Sequence, residues 1–88
     1  MNAASQALVG AVAAVHEAES YLKGLLALRA DPAKVAAAAE RVGWLTGVLS
    51  IELADGRPET ARVISDQLQA ASDRGTERAL ADVRGEPR

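Results

Sequence analysis

The stretch RVGWLTGVLSIEL, from Arg41 to Leu53, holds two glycines four residues apart around the only tryptophan of the chain. Its reading decides between a glycine-rich loop and an unbroken helix. Val42, Leu45, Leu49 and Leu53 recur at the three- and four-residue steps of a helical face, and this period passes straight through Gly43 and Gly47. The segment therefore reads as helix interior. Each glycine there costs about 1 kcal/mol against alanine, so the pair calls for a compensating close contact.

Working outward, two short segments punctuate the chain. ADPAK (30–34) offers Asp31 as an N-cap and Pro32 in the first helical turn. ADGRPE (54–59) offers Gly56 as a left-handed C-terminal residue and Pro58 as the next first-turn residue. These marks predict three helices, at about 3–29, 32–54 and 58–84, with a frayed tail at 85–88. The connections are a few residues long, so sequential helices run antiparallel. No segment alternates apolar and polar residues as a half-buried strand would. The predicted fold is an all-α antiparallel three-helix bundle forming one domain over residues 1–84.

The first helix shows a stripe of Ala4, Leu8, Ala11, Val15, Ala18, Leu22, Leu25 and Leu26, with Glu19 and Lys23 as an i,i+4 pair at its margin. The second resolves into three apolar sectors. Val35, Ala38, Val42, Leu45, Leu49 and Leu53 form one, and Trp44, Val48 and Ile51 a second. Ala36, Gly43, Gly47, Ser50 and Ala54 form a third, of small residues, with Glu40 at its edge. A helix apolar nearly all round reads as buried. The second helix is thus predicted to be the most buried. Helices one and three would cover two sectors and a second chain the third. The third helix carries Ala61, Ile64, Leu68, Ala71 and Gly75 on one face; the apolar positions then shift to Ala79, Leu80 and Val83, which calls for a bend near Gly75 or a different neighbour for the last turns.

Composition narrows the function. Eighty-eight residues bury only about 60–65% of their unfolded surface, and such small domains often gain stability by association. Without cysteine there is neither a disulfide nor a thiolate metal site, which suits a reducing cytoplasm. A formal charge of −2 lacks the basic surplus of most nucleic-acid binders. The N-terminal MNAASQALVGAVAAV has no positive region ahead of its apolar run, so no secretory signal is expected. Arg exceeds Lys and Ala is the commonest residue, which points to a high-GC bacterial or phage gene.

Motifs for chemistry are sparse. His16, Glu19 and Ser20 share one helical side, but a metal site needs three or four converging ligands, so no metal or other cofactor is predicted. The serines fall in helical stretches without a glycine-rich elbow. A small helical enzyme would have to bring Arg29, Arg41, Glu19 or Glu52 inside its bundle. The reading favoured by the sequence is a non-enzymatic interaction, assembly or regulatory module, and the composition suits a phage or mobile element. It would pair with itself as a two-fold dimer through Gly43, Trp44, Gly47, Val48 and Ile51.

The alternative rests on ISDQLQAASDRGTERAL, Ile64 to Leu80. This segment resembles, in part, the helix-turn-helix of bacterial repressors, with Ser72, Arg74 and Thr76 near the opening of a recognition helix. The resemblance implies DNA binding through Arg74, Thr76 and Arg78. It departs from that pattern at Gln69, Ala70 and Ala71, which replace the glycine-containing turn, and at Glu77, where an apolar residue is usual.

Overall fold

A computed structural model describes residues 3–55 and 65–85 of the chain. Among them the secondary structure is all helical: α1 spans Ala3–Ala27, α2 Pro32–Asp55 and α3 Ser65–Arg84. The expected start of the third helix, 58–64, and the tail at 86–88 lie outside the described residues.

The boundary between α1 and α2 follows the chemistry of its residues. Arg29 adopts a left-handed φ of 55° just beyond α1. Its amide donates to the Leu26 carbonyl at 3.2 Å, and the Ala30 amide to the Leu25 carbonyl at 2.9 Å. This is the Schellman closure, here with arginine in the seat usually given to glycine. Ala30 also packs on the cluster around Leu25, adding the apolar contact typical of that cap. Asp31 then starts α2: its Oδ1 accepts from the Ala33 amide at 3.2 Å, and its carbonyl accepts from the Val35 amide at 3.1 Å.

Direction is read from the contacts. Val15 meets Leu45 in one apolar cluster and Leu25 meets Ala38 in another, so α1 and α2 run antiparallel. Gly24 lies against Ala79, while Gly75 lies against Glu17, Ser20 and Tyr21, so α1 and α3 run parallel. The long dimension of the molecule is 39 Å, close to the ~37 Å expected of a 25-residue helix.

α1 is the centre of the bundle, packing against both α2 and α3, which scarcely touch each other. This corrects the expectation that α2 would be the most buried helix. Only one of its three apolar sectors is covered. Ala38 and Leu45 are buried and Val35, Val42 and Leu49 partly so, all on the α1 side. The buried hydrophobics among the described residues are Leu8, Val15, Ala18, Leu25, Ala38, Leu45, Ala71 and Ala79. Half are alanines, so the core is thin.

The reason is the way α1 and α3 meet. A Cβ built on Gly75 would lie 2.1 Å from the Glu17 carbonyl oxygen and 2.9 Å from both Ser20 Cβ and the Tyr21 amide nitrogen. A Cβ on Gly24 would lie 2.6 Å from that of Ala79. Backbone presses on backbone, a contact open only to residues this small. α3 passes through Gly75 without a break. The Glu19–Lys23 pair is also absent; the α1 carboxylate that finds a cation is Glu17, 3.5 Å from Arg74 Nε.

The helix glycines thus divide by their surroundings. Gly75→Ala should lower the unfolding free energy by about 1–3 kcal/mol, because overpacking against fixed backbone outweighs the gain in helix propensity. Gly43→Ala, where nothing lies within 4 Å of the new Cβ, should instead raise it by about 0.5–1 kcal/mol. Urea titrations at a concentration where the chain is monomeric check both signs.

Candidate functional site

The outward side of α2 holds the residues singled out by the sequence. Its core line runs through Ala38, Leu45 and Leu49. At 100° per residue the opposite line falls on Ala36, Glu40, Gly43, Trp44, Gly47 and Ile51. All six are exposed. Trp44 and Ile51 each leave 65% of their surface open, and Val48 is half-buried at the margin. No described residue fills the space beside Gly43 or Gly47. Glu40 is the only charge on this line, and a shallow depression beside it is lined by Ala37, Glu40, Arg41 and Trp44.

The hydroxyls of α2 turn inward to their own helix. Thr46 Oγ1 donates to the Val42 carbonyl at 2.7 Å and Ser50 Oγ to the Thr46 carbonyl at 3.0 Å. Such back-bonding leaves the face apolar in character despite its serine and threonine. Gly10 in α1 is equally open. An open glycine is therefore no signal by itself; what marks Gly43 and Gly47 is the pair of large exposed side chains beside them.

The residues of the DNA-binding alternative are engaged elsewhere. Residues 69–71, where its turn would fall, lie inside continuous α3. Arg74 pairs with Glu17, Thr76 Oγ1 donates to the Ser72 carbonyl at 3.1 Å, and the Arg78 guanidinium sits 4.6 Å from the Tyr21 ring centroid.

This last contact belongs to a polar constellation that sequence reading missed. Tyr21 donates its hydroxyl proton to the Asp82 carboxylate, and Lys34 Nζ donates to the Asp82 carbonyl at 3.1 Å, so Asp82 gathers all three helices. Beside it a cleft opens between α2 and α3 with α1 as its floor, lined by Ala14, Glu17, Ala18, Tyr21, Ala38, Arg41 and Arg78. Of Arg29, Arg41 and Glu19, which a helical enzyme would bring inside, only Arg41 lines this cleft. A sequence signal existed: Glu17 and Tyr21 are one helical turn apart, as are Arg74 and Arg78. Only the parallel seating of α3 on α1 brings the two pairs together. His16 is partly exposed on α1, and among the described residues no three His, Asp or Glu converge on a point. No described helix is long and apolar enough to cross a membrane.

No protein-family model matches the chain, no curated protein matches its sequence, and no solved structure matches its fold.

A hydrogen bond to a charged acceptor contributes about 1.5–3 kcal/mol when well shielded, and less at a partly open site. Tyr21→Phe should therefore destabilise the chain by about 1 kcal/mol. Amide exchange should quicken first at the C-terminal end of α3, around Asp82, and native-state hydrogen exchange reads that order.

Proposed function

We propose that the protein is a small non-enzymatic interaction module whose outward α2 face pairs with the same face of a second copy in the cytoplasm. The observation that carries this reading is the exposure of Trp44 and Ile51 beside two glycines that no described residue covers. A soluble chain with so thin a core gains by burying its only tryptophan, and tryptophan is a frequent energetic anchor of interfaces.

The face suits a copy of itself. In an antiparallel two-fold crossing centred between Gly43 and Gly47, Gly43 of one copy lies over Gly47 of the other. The two axes then approach toward the short end of the ~8–10 Å range. Trp44 of each copy rests on bare backbone at the other's Gly47. Glu40 falls opposite Ser50, whose hydroxyl rotates from the Thr46 carbonyl to the carboxylate, so the one charge on the face keeps a partner. A contact made by one helix from each chain falls at the low end of interface size, below about 1,200 Å² in total, which fits reversible rather than permanent association.

Sedimentation velocity at about 10–100 µM, where a contact of this size associates, should show a monomer–dimer equilibrium. Gly47→Leu should shift it to monomer while keeping the helical circular dichroism and raising the stability of the monomer by about 0.5–1 kcal/mol, because the added side chain meets only open space in its own chain and a helix glycine is removed. A wild-type chain that stays monomeric across this range overturns the proposal.

A further inference from the structure

We infer that the cleft between α2 and α3 is a binding site for a phosphate group, free or carried on a small organic molecule, held between Arg41 and Arg78. Arg41 of α2 and Arg78 of α3 both line one cleft of about 70 Å³. Arg41 has no acidic group within ion-pairing distance among the described residues. Arg78 is stacked over Tyr21, which is itself tied to Asp82, so its fork is held in place before any ligand arrives. The only carboxylate lining the cleft is that of Glu17, and Arg74 already pairs with it. A cleft with this cationic surplus stands out in a chain of net charge −2.

The geometry favours phosphate over carboxylate. Arginine forks bind either group in a bidentate manner. A planar carboxylate satisfies one fork, whereas a tetrahedral phosphate presents oxygens to two forks approaching from different sides. The rest of the lining is apolar, from Ala14, Ala18, Ala38 and the Tyr21 ring, and offers a bed for an organic substituent. A bound phosphate would bridge α2 and α3 and stabilise the folded chain by linkage.

The test is thermal unfolding at fixed ionic strength in about 10 mM inorganic phosphate, phenyl phosphate or chloride, a concentration set for a millimolar site. Phosphate should raise Tm by about 5 °C over chloride for a chain of this size. A larger rise with phenyl phosphate assigns the site to an organic phosphate; equal rises assign it to the free ion. Trp44 lies one turn from Arg41, so its fluorescence should titrate with the same ligand.

Arg41→Gln, an exposed change without a partner to lose, should abolish the rise, and Arg41→Lys should keep only part of it. Lys23→Gln, outside the cleft, should keep all of it. The monomeric Gly47→Leu variant should respond like the wild type, which separates this site from self-association. No rise with either phosphate, or an equal rise in Arg41→Gln, overturns the assignment; the latter would mark a general salting effect.

Discussion

The contact on which the rest of the structure depends is the meeting of backbones at Gly75. With a glycine there, α3 settles onto α1 until its axis is limited by main-chain atoms of Glu17 and Tyr21. Ala71 and Ala79, one turn to either side, are fully buried in the same seam. Packing this close fixes α3 in register along α1, and the register has polar consequences. Arg74 meets Glu17, Arg78 meets Tyr21, and Asp82 meets the Tyr21 hydroxyl. A seam of larger side chains would hold the helices apart and lose these pairings together.

What α3 gives to α1 it withholds from α2. In a symmetric bundle each helix touches two others. Here α2 and α3 meet only at Ala38 and Ala79 in the Leu25 cluster and at the Lys34–Asp82 hydrogen bond, leaving α2 mainly against α1. Its apolar circumference, read from the sequence as burial, becomes an exposed face and the wall of a cleft. The thin core and the open α2 face are therefore two results of one choice, the use of small residues along the α1–α3 seam.

The number of helices, their type and the turn between α1 and α2 were legible because they rest on local chemistry: the Asp31 cap, Pro32 and an unbroken helical period through Gly43 and Gly47, although α1 stops at Ala27 and not at Arg29. The apolar line of α2 that faces α1 was also legible. What the sequence did not show was the close-packing role of Gly24 and Gly75. Gly43 and Gly47 drew attention because they flank the tryptophan, yet the glycines in close contact are Gly24 and Gly75. Spacing along one helix does not say which face a partner occupies; that is settled by which helix pair packs most tightly. The Arg–Tyr–Glu cleft was illegible for the same reason, since its members are separated by tens of residues and meet only after that choice is made.

Magnitudes show how α2 would use its outward face. Fully burying a large apolar side chain contributes about 1.5–3 kcal/mol. Trp44 and Ile51 have 65% of their surface left to bury, so four such side chains in a pair contribute about 4–8 kcal/mol. The loss of rotational and translational freedom on association costs about 4–15 kcal/mol. Large side chains alone therefore do little more than offset that loss. A stable pair needs the dense packing that comes only when two backbones approach closely, and this is what Gly43 and Gly47 permit. Within a single chain the two glycines weaken α2 without recompense. In a pair they would do between chains what Gly24 and Gly75 do between α1 and α3.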